Sequence, residues 1–395
     1  LYGRRRLYCG GVAVLGVASA FLAATSSGAS LLSWRAVQGL GAAMVMATAL
    51  PILVAVYPAR RRGMAIGVNV AAVYAGLASG PYLGGLLTEL WSWRAVFWLF
   101  PPLATFLLVV ALRLLPADER DQAGGFDWSG SLLLVTSLLL LMYGLSDLPR
   151  ISAAVAAALG GVGLAFFVRL ETKVEHPVLD LDLFRHNRVF AFSSLAALIH
   201  YAATFAVSFL MSLYLQKVRG LSPQTAGLLL VAQPLIQALL SPAAGRLSDR
   251  VQPRLVASSG MTITLVGLVL LAFVDAASSF ASILGLLALL GVGFAFFSSP
   301  NTSAIMGSVE PRQYGLAAAM VASARQLGMM VSMALVMLVL TLGLGNAPVT
   351  PETAPEFLSG MRAAFVLFAL LCAVGILASL VRGELREQGG PTSSR

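Results

Sequence analysis

Apolar runs of about twenty residues recur along this chain from end to end, and they constrain its fold more than any motif does. A helix of about twenty such residues is about 30 Å long, the thickness of a bilayer's hydrocarbon core. Scanning for these runs predicts twelve spans, near 7–24, 30–56, 63–88, 93–115, 128–147, 151–170, 189–214, 222–243, 255–274, 280–308, 314–341 and 361–381. Hydrophobic residues make up 58% of the chain and charged residues 11%, against about 45–50% and about 25% in soluble domains. The chain therefore reads as an all-α polytopic membrane protein whose first partner is the lipid bilayer. Cys9 and Cys372 lie in separate runs, so no disulfide or metal framework is implied. The opening Leu-Tyr-Gly-Arg-Arg-Arg has neither an initiator Met nor a signal-peptide pattern, which reads as a trimmed start.

The net charge of +9 invites a nucleic-acid reading, and its distribution excludes one. Sorted by alternating loops, 19 of the 26 Lys and Arg fall on one side and 5 on the other, with Arg35 and Arg325 inside spans. The positive-inside rule puts the first side, and both covered ends, in the cytoplasm of a multi-pass protein of the inner or plasma membrane. The basic balance is topology.

The run 63–88 carries no charge before Glu89, and Gly76, Gly80 and Gly84 recur in it at i, i+4 and i+8. That spacing strips one helix face and lets another backbone approach. Pro81, in the same turn, removes a backbone donor and favours a bend. The face is either a plain packing seam or a hinge between two bundles.

The chain also repeats itself. Arg5 falls on Arg254, Gly39-Leu40-Gly41 on Gly291-Val292-Gly293, and Arg60 on Arg312, all at one offset of about 250 residues, a parallel repeat of the kind that builds transporters from two halves. Two spans precede the second basic loop and their counterparts would precede Leu1. The pair 128–147 and 151–170 has no partner at all. Six spans, two inserted and six more are expected of the whole, fourteen in all, with the first two outside this chain.

These motifs resemble the major facilitator superfamily, and within it the fourteen-span drug:proton antiporter branch. The resemblance rests on the Gly3-Arg4-Arg5-Arg6 and Gly245-Arg246-Leu247-Ser248-Asp249-Arg250 loops, Arg35-x-x-Gln38-Gly39-x-Gly41, and Gly76-x-x-x-Gly80-Pro81-x-x-Gly84-Gly85. Trp93-Arg94, Pro177-Val178-Leu179-Asp180 and Arg325-Gln326-x-Gly328 add to it. It departs at Gln252, where a glycine is usual, and at Phe100, where an asparagine is common. It implies a major facilitator fold: an N-terminal bundle over 1–115, two inserted spans with cytoplasmic loops over 116–188, a C-terminal bundle over 189–381, and a cytoplasmic tail over 382–395. It also implies an antiporter hinge at Gly76, Gly80, Pro81, Gly84 and Gly85, and a cytoplasmic latch of Gly3, Arg4, Arg5, Gly245, Arg246, Asp249 and Arg250. Arg35 is implied in proton transfer, its partner acid lying in the spans before Leu1.

Buried polar side chains are costly in a bilayer and mark sites. Spans 7–24, 93–115, 255–274 and 361–381 hold none of the larger ones, as expected of spans kept away from a central aqueous cavity. Asn69, Tyr74, Tyr201, Gln233, Gln237, Asn301, Arg325 and Gln326 are the expected cavity lining; Arg325 either binds a polar substrate group or braces its bundle. Arg35, Gln38 and His200 are the candidates for proton coupling. Arg35 is otherwise a snorkelling interfacial side chain, and His200 otherwise a neutral, hydrogen-bonded one.

No Gly-Lys pair exists to build an ATP-binding loop, and no His or Ser arrangement suggests an enzyme. The expected function is secondary transport without cofactor or ATP, driven by a proton gradient: a monomeric antiporter exporting amphipathic small molecules. The alternative is a carrier of the same fold for one metabolite, by symport or uniport.

Overall fold

The computed structural model describes residues 3–116, 127–146, 150–174, 181–345, 347, 349–350 and 352–383. Among them are 12 helices long and apolar enough to cross a membrane: α1 (Arg4–Ala24), α2 (Gly28–Val56), α3 (Arg62–Leu90), α4 (Trp93–Leu114), α5 (Trp128–Ser146), α6 (Ile151–Glu171), α7 (Arg188–Val218), α8 (Pro223–Ser248), α9 (Pro253–Leu271), α10 (Phe280–Gly307), α11 (Tyr314–Leu344) and α12 (Ala354–Val381). A short helix, Leu181–His186, leads into α7. The motif at 177–180 lies outside the described residues.

Local chemistry sets the helix ends. The side chains of Ser27, Asn187, Ser222 and Ser279 accept from the first-turn amides of α2, α7, α8 and α10, satisfying donors that the helix leaves open. Pro223 and Pro253 open α8 and α9, where a missing N–H costs nothing.

Helix packing sorts into three groups. Helix α1 packs on α2 and α4, and α3 on α4. Helices α7 to α12 form the larger group, with α7 against α11 and α12, and α9 against α10 and α12. Its core is continuous, from Leu210 and Met211 of α7 to Phe365 and Phe368 of α12. Helices α5 and α6 pack chiefly on each other, and α5 also touches α11. The first and second groups meet where α3 crosses α8 and α10, and where α2 meets α11.

The crossing is closest at the end that carries the basic loops. A Cβ on Gly63 would collide with the Gly245 carbonyl and the Ser248 hydroxyl, and one on Gly67 with the Ser241 carbonyl. Ser299 of α10 donates to the Gly63 carbonyl at 3.4 Å. Glycine is required here because two backbones touch.

Candidate functional site: a cavity between two bundles

Away from that crossing the bundles part around a cavity of about 1120 Å³, a little above the usual size of small-molecule sites, about 300–1,000 Å³. Helices α2 and α3 form one wall, and α7, α8, α10 and α11 the other. Its lining reaches the far end at Glu89, near the end of α3, and Gln224, at the start of α8, both exposed.

Two of the lining helices are interrupted at the cavity. Helix α7 breaks at Phe205–Ala206, and the freed amide of Ala206 donates to the Ser332 hydroxyl of α11 at 3.0 Å. Helix α8 breaks at Val231; Pro234, three residues on, has no N–H to offer the Leu230 carbonyl. Irregular backbone at membrane depth is tolerated where it lines a cavity.

Six of the expected lining residues are there: Tyr74, Tyr201, Gln233, Gln237, Arg325 and Gln326. The walls between them are aromatic and aliphatic, with Phe205, Phe209, Phe294 and Leu228. Oε1 of Gln233 has no hydrogen-bond partner, and the Gln237 amide faces the Tyr74 hydroxyl. Arg325 reaches from α11 to α2, its Nη2 3.7 Å from Sδ of Met46. Among the described residues no carboxylate pairs with it.

Asn69 and Asn301 are corrections to the expected set, since neither lines the cavity. Asn301 is buried at the basic end of α10, where its Nδ2 donates to the Ser193 carbonyl at 3.0 Å and its Oδ1 accepts from Arg382 at 2.8 Å. It braces its own bundle. Asn69 lies two turns into α3 from the basic end, one turn short of Tyr74.

The coupling candidates separate. Arg35 donates to Oε1 of Gln38 at 2.9 Å, and Gln38 donates to the Ser19 hydroxyl of α1 at 2.8 Å. The guanidinium also lies 4.9 Å from the Phe97 ring of α4, so one polar chain ties α1, α2 and α4 together near the far end. His200 is elsewhere, wholly buried against the rings of Phe294 and Phe297 at 4.7 and 4.0 Å. Neither ring nitrogen has a hydrogen-bond partner, and a proton relay needs one.

Of the hinge residues, Gly76, Gly80 and Gly84 face open space, with nothing within 4 Å of a built Cβ. The α3 helix continues through positions 81 and 85.

Two of the latch residues, Asp249 and Arg4, reach across the bundle boundary, and neither contact is with another latch residue. Asp249, at the end of α8, accepts from the amides of Gly63 at 2.7 Å and Met64 at 2.9 Å, the first amides of α3. A carboxylate at a positive helix end is favoured. Burial outweighs those two bonds and holds the Asp249 carboxyl above the usual carboxylate range. Arg246 and Arg250, expected beside it, form no ion pair with it among the described residues; the partner is backbone. On the other side Gly3, at φ 84°, opens α1. Arg4 donates to the Pro311 carbonyl at 2.6 Å and lies 5.8 Å from the Tyr314 ring at the start of α11. Arg5 donates to the Leu112 carbonyl of its own bundle.

Sequence reasoning missed Glu89, read only as the end of a run, and Arg382, counted as a loop cation. Their signal was position: each stands at the last turn of an apolar run, where a charge faces either water or a site.

The sequence pattern of the Major Facilitator Superfamily matches residues 1–184 and 193–395. The chain is 33% identical to the multidrug resistance protein Stp of Mycobacterium tuberculosis over 83% of its own length and 62% of that protein's. It is 34% identical to the riboflavin transporter RibZ of Clostridioides difficile, over 82% of this chain and 71% of RibZ. To the multidrug efflux pump LfrA of Mycolicibacterium smegmatis it is 31% identical, over 84% and 67%. The chain thus spans under two thirds of the length of Stp. The solved human organic anion transporter MFSD10 shares the fold at a TM-score of 0.65 and 17% identity, over 95% of this chain and 77% of that one. The chain belongs to the Major Facilitator Superfamily.

Proposed function

We propose that this chain is a secondary active transporter of the fourteen-span drug:proton antiporter branch, exporting amphipathic small molecules by alternating access. The observation that carries the reading is the cavity: large, mostly apolar, open at the far end and shut at the basic end by the α3–α8 crossing. With the basic end in the cytoplasm, this is the outward-open half of a transport cycle, in a protein of the plasma membrane with both covered ends inside. Multidrug relatives such as Stp and LfrA support export. The drive is a proton gradient, with neither ATP nor a cofactor, and the working unit is a monomer.

Arg35, tied to Gln38, supplies the fixed charge that lowers the pKa of a carboxyl brought near it. His200, closed in by phenylalanines, stands outside that route. The test is efflux of ethidium from proteoliposomes under an imposed pH gradient. Arg35→Ala is expected to insert normally and lose gradient-driven efflux; wild-type rates in it would remove Arg35 from the mechanism.

The buried amides of Gln233 and Gln237 in an aromatic cavity favour a second reading, a carrier for one heteroaromatic metabolite with an amide edge, and RibZ is a relative. Riboflavin uptake or efflux by the same vesicles, insensitive to the pH gradient, would select it.

A further inference from the structure

Among the described residues, the second bundle holds a buried cation without a counter-charge. Helix α12 ends at Val381, and Gly383, at φ 84°, turns the chain away. Arg382 between them points inward and is 1% exposed. Its Nη1 donates to the Ser193 hydroxyl at 3.1 Å and to Oδ1 of Asn301 at 2.8 Å. Both acceptors are neutral. Its Nη2 is buried and has no partner.

Arg382 lines a pocket of about 10 Å³ together with Gln252, Pro253 and Arg254 at the start of α9, Val189 of α7 and Ala304 of α10. That volume holds about one water-sized atom. Burial, and then the neighbouring Arg254, pull the Arg382 pKa down to about 10. Among the described residues no carboxylate pairs with Arg382, although a buried guanidinium is costly without an anion. Oε1 of Gln252 is also buried and unpartnered; turned over, that amide presents two donors to the same space. The first turn of α9, a 19-residue helix, adds the positive end of its dipole. The pocket lies at the basic end, where anionic headgroups gather if that end is cytoplasmic.

We propose that this pocket is an oxyanion site taking one phosphate oxygen, from the phosphodiester of an anionic phospholipid or from free phosphate, between Arg382, Arg254 and the start of α9. A bound phosphate would tie the start of α9 to the ends of α10 and α12, and so stiffen the bundle that the cavity depends on.

The test is thermal unfolding of the detergent-purified chain titrated with dioctanoyl phosphatidylglycerol, dioctanoyl phosphatidylcholine, inorganic phosphate and, at matched ionic strength, chloride. The wild type should gain Tm with phosphatidylglycerol and not with phosphatidylcholine or chloride. A matching gain with inorganic phosphate makes the phosphate group itself the ligand; no such gain makes the lipid the source. Arg382→Gln should weaken binding at least about tenfold, as expected for a lost charge-assisted contact. Should that variant fail to fold, Arg254→Gln, which leaves the bonds of Arg382 to Ser193 and Asn301 in place, should weaken binding several-fold. An equal gain with chloride, or unchanged affinity in the folded variants, overturns the proposal. So does a wild type that binds nothing while Glu384→Gln binds phosphate, because the pocket then belongs to the chain's own tail.

Discussion

In the proposed transport cycle, Asp249 is placed to bias the state of the whole molecule. It caps α3 from the opposite bundle through the amides of Gly63 and Met64. Its carboxyl is held above the usual range because burial outweighs those bonds. The clasped state therefore binds the proton more tightly than an open state in which the carboxyl is solvated. Acid favours the clasp: the gain is full below the ordinary carboxylate range and is lost as pH rises through the raised value. Asp249→Asn, neutral and nearly isosteric, keeps one acceptor for the two amides and should abolish that pH dependence while weakening the clasp less than removal of the side chain. Asp249→Ala removes both acceptors, about 1–2 kcal/mol at a half-buried site, so opening at the basic end should rise roughly five- to thirtyfold. Spin-label distances between the starts of α3 and α9 across pH 4–8 measure both effects. A pH-independent wild type would discard Asp249 as a switch.

At the scale of the element, α3 carries two glycine sets with different surroundings. Gly63 and Gly67 touch α8, whereas Gly76, Gly80 and Gly84 touch nothing. Gly67→Val should therefore wedge α3 from α8, lower Tm by several degrees and stop transport. Gly80→Val should change the stability of this state by under about 0.5 kcal/mol, as at an unpacked surface site, yet stall turnover if the outer glycine face closes in the opposite state. Tm and efflux rates on the two variants decide; normal turnover in Gly80→Val would leave the outer set without a hinge role. The spans were legible in sequence because a bilayer requires each to be long and apolar on its own: the run read as 189–214 is α7, Arg188–Val218, and the run 128–147 is α5. Partners were less legible. The glycine spacing did not say which set meets a neighbour. Asn301 and His200 share the composition of cavity residues, but their helices turn them into the bundle interior. Arg382 read as a loop cation because a sequence shows that a charge follows a span, and a neighbouring serine and asparagine draw it inward.

At the scale of the whole molecule, the proposed cycle requires the cavity to exchange sides, and labelling can follow that exchange. The natural cysteines, Cys9 and Cys372, are both buried, so an introduced thiol reports with little background. Glu89 and Gln224 line the far end on opposite bundles, and Arg325 lies deeper on the same cavity. A membrane-impermeant thiol reagent added on the far side should label Glu89→Cys, Gln224→Cys and Arg325→Cys. It should miss Asn301→Cys, which lies at the basic end, and His200→Cys, which is enclosed by rings. A gradient that drives the opposite state should slow labelling at positions 89 and 224 by about tenfold, the change expected when a favoured state loses about 1.4 kcal/mol, while position 325 becomes reachable from the basic side. Labelling of Arg325→Cys from one side only, under every gradient, would mean that the bundles do not exchange access around this cavity. Their separation at the far end would then be a fixed vestibule, and neither antiport nor uniport by rocking bundles could be built on it.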